Sequence, residues 1–174
     1  MDQKIKNAEK LDLSGEDIMR MCKNKVKIIS YEDMENYKTI DDVFDTNNAT
    51  IILYETQKNF GHWTLLLKDK NLEFFDPYGL KPDEELNIDN KYNSRIHNGI
   101  VVPHLTHLLN KSNYRIIINR KRLQQFLENI NTCGRWCVAR VLLRHFTLSK
   151  FQKLFTDNVN HTPDFWVTAY TLLL

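Results

Sequence analysis

The sequence predicts an α+β fold, with helices towards both ends of the chain and strands between them. Three stretches in the middle, at 49–55, 62–68 and 72–76, are rich in leucine, β-branched and aromatic residues, a composition typical of strands. From Cys133 onward the apolar pattern is helical, and the Thr-Pro pair at 162–163 marks the cap and first residue of the last helix.

The N-terminal part of the chain predicts a helix, a strand and a second capped segment, in that order. Ser14 is placed to cap a short helix in "SGEDIMRMC", and Asp17 lies near the positive end of that helix. The stretch "VKIIS" then predicts a strand that ends at Ser30, which is placed to cap the following "YEDMENYK".

The middle of the chain contains the clearest prediction of strand pairing. The polar turn "DKN" separates 62–68 from 72–76, which predicts a β-hairpin. The remaining segments are a polar loop at 77–98, a helix in "IVVPHLTHLL" that is interrupted near Pro103, and a strand at 114–118.

Length and composition predict one domain that spans residues 1–174. With 42% hydrophobic and 26% charged residues, the chain has the balance of a soluble globular protein that can bury a core without disulfides. Three cysteines and a start without an apolar segment predict a reducing compartment and no signal peptide, and no apolar run is long enough for a transmembrane span. The net charge of +2 does not by itself call for a nucleic acid partner.

Two of the cysteines, Cys133 and Cys137, lie one helical turn apart in "NTCGRWCVAR". A redox pair needs its thiols three positions apart, so this spacing argues against one. A zinc site needs two further ligands, which His104 and His107 could in principle supply, although a histidine pair on a helix flank is more often at the surface or packed. We therefore expect neither a metal nor a cofactor.

The two cysteines are instead predicted to play different roles. Cys133 lies where a polar loop becomes an apolar helix, so the partial positive charge of the helix N-terminus would favour its thiolate as a nucleophile. Gly134 would let a substrate backbone come close. Cys137 lies one turn deeper in an apolar setting, and we expect it to be buried and inert.

A nucleophilic cysteine needs a base, a partner that orients the base, and donors for the oxyanion. His62 opens a strand, and the predicted hairpin brings Asp76 back beside it, so their side chains are expected to be neighbours. Gln124 or Gln125, with the backbone N–H of Cys133, would supply two oxyanion donors. Taken singly, these residues have ordinary alternatives, because strand histidines are usually structural and paired glutamines usually face solvent.

In the chain order His62, Asp76, Gln124, Cys133 the sequence resembles the adenain-like and Ulp1-like cysteine proteases. The segments "GHWTLLL", "LEFFDPYGLKPDEEL" and "LQQFLENINTCGRW" carry the resemblance, which is closest to the maturation proteases of virophages and polinton-type elements. It implies a permuted papain-like cysteine protease fold. In that fold a mixed central β-sheet is flanked by helices, and the nucleophile lies at the N-terminus of a central helix.

The resemblance also implies a role for each matching residue. His62 matches the family's base, Asp76 its acidic third member and Cys133 its nucleophile. Gln124 matches the oxyanion glutamine, with Gln125 as the alternative.

The implied reaction is peptide-bond hydrolysis through an acyl-enzyme, often next to glycine or another small residue. Trp63 matches an aromatic residue that follows the base, and either contacts substrate or is simply a core residue. The implied substrates are viral capsid or core precursor proteins, cut during virion maturation in the virion and in viral factories of the host cytoplasm. Two other reactions of the same constellation stay open: an isopeptidase acting on ubiquitin-like modifiers, and an acyltransferase.

Further partners are predicted only weakly. Arg115, Arg120, Lys121 and Arg122 form a basic cluster that could contact nucleic acid, as adenain does, but a solvated surface is the simpler explanation. Cys22 could bond to an activating peptide, although burial is again the plainer explanation. We expect a monomer with no membrane contact.

Overall fold

The computed structural model describes residues 1–88 and 102–174. Within these residues the helices are α1 (Asp2–Ala8), α2 (Gly15–Met21), α3 (His104–Asn110), α4 (Cys133–Leu142), α5 (Leu148–Thr156) and α6 (Pro163–Thr171). The strands are β1 (Lys27–Ser30), β2 (Ala49–Gln57), β3 (Phe60–Lys68), β4 (Leu72–Phe75) and β5 (Ile116–Ile118). Short 3-10 helices lie at Tyr31–Asn36, Ile40–Val43 and Glu84–Asn87.

The strands form one mixed sheet in the order β1-β2-β3-β4-β5. The three central strands are antiparallel to one another, and the two outer strands pair parallel to their neighbours. The α+β class and the hairpin of β3 and β4 are therefore confirmed, with Leu65 opposite Phe75 and Lys68 opposite Leu72.

Side chains of the sheet alternate into two apolar cores, one on each face, because successive residues of a strand point to opposite sides. Ile51, Leu53 and Leu65 enter the first core, which α2, α4, α5 and α6 complete. Ile52 and Leu66 enter the second core, which α3 and the 3-10 helices cover. The sheet is thus flanked by helical segments on both sides.

Helix α4 lies in the middle of the first core and is buried from Cys133 to Val141. Near its C-terminal end, Arg140 donates two hydrogen bonds to the carboxylate of Glu73 on β4, at 2.7 and 2.8 Å. The same guanidinium also donates to two backbone carbonyls that follow the helix. This clamp fixes α4 against the sheet, and with it the position of Cys133 at the opposite end.

Several elements differ from the expected ones in type or extent. The segment after Ser30 is a 3-10 helix. Residues three apart lie on the same side of such a helix, and the buried residues Tyr31 and Met34 have this spacing. The helix expected near Pro103 begins directly after this proline. Part of that stretch and of the expected loop at 77–98 lies outside the described residues.

No helix in the described part of the chain is both long enough and apolar enough to cross a lipid bilayer.

Candidate active site

The hairpin of β3 and β4 brings His62 and Asp76 together. Leu65 is paired with Phe75, so Asp76 follows diagonally opposite His62 on the same side of the two strands. His62 Nε2 lies 2.9 Å from Asp76 Oδ1, and both side chains are buried, with 6% and 1% of their surface exposed. The expectation that these two side chains are neighbours is thereby met.

A β-turn at "DPYG" holds the Asp76 carboxylate in place. The backbone N–H of Gly79 donates to the carbonyl of Asp76 at 2.9 Å, and Pro77 takes the second turn position, which its fixed φ favours. The backbone N–H of Tyr78 donates to Asp76 Oδ1 at 2.7 Å, the same oxygen that meets His62. Gly79 has φ +75 and packs against the backbone of Lys121, so a side chain there would be strained.

Cys133 is the first residue of α4, and its thiol lies beside the His62 ring, close enough to influence its pKa. Nε2 of this ring meets Asp76, so Nδ1 is the ring nitrogen outside the ion pair. The first N–H groups of a helix have no intrahelical partner, and none of the described side chains caps this helix. Their partial positive charge therefore faces the thiol.

The surroundings of His62 favour its protonated form. Burial by itself would lower the pKa of His62, but the charges of Asp76 and Glu85, the hydrogen bond to Asp76 and the nearby Cys133 thiol outweigh it. Together they raise the pKa of His62 well above its usual value near 6.5. An imidazolium is the counterion that a thiolate needs, so the arrangement suits a thiolate–imidazolium pair.

Glu85 is a second buried carboxylate at this ring, in the 3-10 helix Glu84–Asn87. The ligand atoms of His62, Asp76 and Glu85 lie within 4.8 Å of one another, close enough for a metal ion to join them. In the structure His62 Nε2 and Asp76 Oδ1 are instead bonded to each other. Among the described residues, these three are the group whose geometry could hold a metal ion. Within the same residues, His104 and His107 are part of no such group.

Tyr78 covers the open face of the His62 ring. The two rings are stacked, with centroids 4.5 Å apart and planes 14° apart. Burial raises the pKa of Tyr78 to about 12, so its hydroxyl keeps its proton and can both donate and accept. Gln124 Nε2 donates to this hydroxyl at 3.3 Å and to the carbonyl of Ile130 at 3.0 Å.

The structure distinguishes between the two neighbouring glutamines. Gln124 is fully buried, and its backbone N–H donates to the carbonyl of Pro77, which places its amide beside Tyr78. Gln125 is only half-buried and lines a surface cavity between α1 and α6. Of the two predicted oxyanion donors, Gln124 is therefore the one whose side chain contacts Tyr78, the residue stacked on His62.

Trp63 and Gly134 pack against each other beside α2. The Trp63 indole N–H donates to the carbonyl of Leu13 at 3.1 Å, and the ring is 4% exposed. A methyl group at Gly134 would lie 3.3 Å from Trp63 and 3.1 Å from Leu13. Packing alone therefore accounts for a glycine at 134 and for a tryptophan at 63, and their predicted substrate contacts stay predictions.

Comparison with known proteins connects the chain to a virophage. The chain matches no protein-family model. It is 38% identical over 175 residues to "Uncharacterized protein V9" of Sputnik virophage, an alignment that covers 98% of this chain and 99% of the Sputnik protein. The chain belongs to this virophage protein family. Because the match runs over nearly the whole of both proteins, the similarity extends across the elements described above.

The other two cysteines of this virophage family member are buried and free. Burial raises the pKa of Cys137 well above its usual value, and raises that of Cys22 to about 12. Both thiols are buried, as expected for Cys137, and burial favours their protonated form. No disulfide joins the three cysteines.

The basic cluster lies at the surface, and its backbone at Arg120 and Lys121 packs against Gly79. Arg115, Arg120, Lys121 and Arg122 are all exposed. Lys121 Nζ donates to Thr156 at 3.0 Å. A nucleic acid contact by these residues stays a prediction.

The sequence pattern does not single out two residues of this site. Tyr78 lies in the segment "DPYG", whose pattern indicates only a turn. Glu85 lies in the quoted segment "LEFFDPYGLKPDEEL", but only the fold shows that it faces the His62 ring.

Proposed function

We propose that this protein is a cysteine endopeptidase of the adenain-like and Ulp1-like type. The observation that carries the proposal is the His62 ring, which is hydrogen bonded to Asp76 and lies beside the thiol of Cys133. This is the arrangement that nucleophilic catalysis by a thiol requires: a nucleophile, a base, and an acid that orients the base.

The architecture supports the same proposal. A cysteine at the start of a buried central helix faces a histidine on an antiparallel strand of a mixed sheet. The acidic residue follows the next strand, and Gln124 precedes the cysteine in the chain. We infer a permuted papain-like fold from this combination, with Cys133 as nucleophile and His62, Asp76 and Gln124 as its catalytic partners.

In the first half of the reaction, His62 holds the proton of Cys133 as an imidazolium. The Cys133 thiolate attacks the scissile carbonyl carbon, and the C=O electron pair moves to oxygen as the tetrahedral intermediate forms. His62 then donates its proton to the leaving amine, the C–N bond breaks, and a thioester with Cys133 remains. Asp76 keeps the imidazole oriented and stabilises its positive charge throughout.

The oxyanion would be held by two kinds of donor. The backbone N–H of Cys133 is one, at an uncapped helix N-terminus. The amide of Gln124 is the other. Its N–H groups meet Ile130 and Tyr78 in the free enzyme, and the longer bond, 3.3 Å to Tyr78, is the one that would be exchanged for the oxyanion. Water then hydrolyses the thioester, with His62 as base.

The substrates we propose are capsid or core precursor proteins of the virophage. Cys133 is only 6% exposed, so the residues next to the cut must be small enough for the backbone to reach the thiol. Membership of a virophage protein family supports a viral substrate and action in the maturing virion or viral factory.

The test is to incubate the purified protein with virophage capsid precursors and to map any new termini by mass spectrometry. We expect discrete cuts next to small residues, which Cys133→Ala abolishes. Cys137→Ala, one turn along the same helix, is the matched control and should still cut. Precursors that stay intact with wild-type protein, or that are cut equally well by Cys133→Ala, would contradict the proposal.

A further inference from the structure

Asp164 is a fully buried carboxylate at the start of α6 that accepts three hydrogen bonds. Its Oδ1 accepts from the hydroxyl of Thr132 and, at 3.0 Å, from the indole N–H of Trp136. Its Oδ2 accepts from the backbone N–H of Gln125 at 2.9 Å. All three partners are donors, so the site suits a carboxylate that only accepts.

These partners are the chain neighbours of both proposed oxyanion donors. Thr132 directly precedes Cys133, and Gln125 directly follows Gln124. The two donors come from separate segments, and a single carboxylate is bonded to a neighbour of each. Asp164 therefore joins the two segments that carry the proposed donors.

Thr132 is bonded in an unusual way for its position. A threonine at a helix N-cap usually accepts a hydrogen bond from an N–H of the first turn. Thr147 and Thr162 do so at the starts of α5 and α6. The Thr132 hydroxyl donates to Asp164 instead, and no side chain among those described caps α4. The first-turn N–H groups of α4 are thereby left for another acceptor.

Burial of this carboxylate works against stability unless it is compensated. Burial raises the pKa of Asp164 by more than the hydrogen bonds from Thr132, Gln125 and Trp136 lower it, so the pKa of this carboxyl is raised overall. An apolar residue could join the same three segments without that desolvation penalty. The carboxylate is the group that can draw the Thr132 hydroxyl away from its capping position and hold the backbone of Gln125 at the same time.

We infer that Asp164 is the positioning residue of the oxyanion hole, which sets the relative placement of the Cys133 N–H and the Gln124 amide. This inference rests on the proposed peptidase function. Asp164 contacts neither the substrate nor the reacting atoms; it acts through Thr132 and Gln125.

If Asp164 positions the oxyanion donors, a change at Asp164 should affect peptide cleavage by Cys133 but not alkylation of its thiol. Alkylation of Cys133 by iodoacetamide needs the thiolate but no oxyanion donor, whereas peptide cleavage needs both. Disturbing Asp164 should therefore slow cleavage and leave alkylation unchanged. A general loss of structure around Cys133 would slow both.

The experiment compares Asp164→Asn and Thr132→Val with Thr168→Val in the full-length protein. Asp164→Asn leaves one carbonyl oxygen to meet three donors, and Thr132→Val removes the hydroxyl while keeping the shape of threonine. Thr168 is the matched control: it lies one turn along α6, is fully buried, and its hydroxyl has no hydrogen-bond partner within the described part of the chain. The probe is the precursor peptide cut fastest in the mapping experiment, measured for kcat and KM beside the iodoacetamide rate.

We expect Asp164→Asn and Thr132→Val to lower kcat about 10- to 100-fold, with KM and the alkylation rate within about twofold of Thr168→Val. If Asp164→Asn does not fold, Thr132→Val alone decides. Variants that cut as fast as Thr168→Val, or that lose alkylation and cleavage together, overturn the inference about Asp164. The proposed peptidase function still stands in that case, provided that the wild-type protein cuts. A wild-type protein that cuts no precursor overturns both.

Discussion

Strand β4 begins and ends beside two buried ion pairs that differ in what surrounds them. Glu73, on the strand, meets Arg140 at 2.7 Å, and Asp76, just after it, meets His62 at 2.9 Å. Both pairs join a carboxylate to a cationic side chain on another element. They are alike in distance and burial, so neither measure separates a structural pair from a reactive one.

The two pairs differ in what surrounds the nitrogens of each cation that do not meet the carboxylate. The Arg140 guanidinium is enclosed by Glu73 and two backbone carbonyls, and arginine does not lose its proton in proteins. His62 is bonded to Asp76 through one nitrogen and lies beside the Cys133 thiol, and imidazole can release its proton. All three guanidinium nitrogens of Arg140 are hydrogen bonded, so this pair suits a structural role that holds α4 in place. His62 has one ring nitrogen outside its ion pair, which suits a role in proton transfer.

The largest contrast should come from replacing each cation by glutamine. His62→Gln keeps an N–H for Asp76, so the protein should fold, but it removes the base. We expect kcat/KM to fall by about 10⁴-fold or more, measured on a cleaved precursor peptide. Cleavage within about tenfold of the wild-type rate would show that the His62 pair is as structural as the Arg140 pair.

Arg140→Gln should have the opposite profile. It leaves the Glu73 carboxylate buried without its cation, so we expect a loss of about 3–5 kcal/mol in the free energy of unfolding, measured by urea denaturation. The fraction that stays folded should cut with the wild-type kcat. A variant that keeps full stability but loses kcat would contradict the division of roles.

The third prediction concerns pH and uses Asp76→Asn. The folded-state pKa of His62 is raised, so its ion pair stabilises the protein below about pH 6.5, the unfolded value, and this contribution is lost as pH rises through the folded value. The substitution removes the larger of the two charges that raise the pKa, so the NMR titration of the His62 ring should move to lower pH. Glu85, Cys133 and Tyr78 also face the ring and are unchanged in this variant.

An unmoved titration in Asp76→Asn would mean that Asp76 does not charge the ring. In Arg140→Gln the His62 titration should stay where it is in the wild type, which makes that variant the control.

The smallest effect is expected from Tyr78→Phe. Phenylalanine keeps the ring stacked on His62 and removes the hydroxyl that holds Gln124. One neutral hydrogen bond of 3.3 Å contributes about 1 kcal/mol, and the Gln124 amide gives it up for the oxyanion, so kcat should rise by roughly 2- to 10-fold at most while the His62 titration stays the same. A shifted titration would place the role of Tyr78 at the imidazole instead of at the amide.

The sequence could predict the His62–Asp76 contact because it depends on local pairing. A short polar turn between two strands requires their ends to meet, and the side-chain period of two then decides which residues share a side. The α+β class and the start of α4 at Cys133 follow from similarly local patterns. These are the parts of the site that hydrophobic periodicity and turn chemistry can determine.

The rest of the site depends on contacts between distant segments. Gln124 and Gln125 have the same chemistry, and contacts with distant segments, from the Gln124 backbone to Pro77 and from the Gln125 backbone to Asp164, decide which of them turns inward. Asp164 meets Thr132 from another helix, a contact that no local pattern indicates. Gly134, expected to admit a substrate, is explained by its packing under Trp63, which depends on how α4 meets the sheet.

The most direct test of the central claim is site-resolved alkylation of the three cysteines by iodoacetamide, followed by mass spectrometry. If Cys133 and His62 act as a pair, the label should enter Cys133 well before Cys22 and Cys137, and His62→Gln should slow it by about 100-fold or more. Equal labelling rates in wild-type and His62→Gln protein, or earlier labelling of Cys137, would contradict the claim.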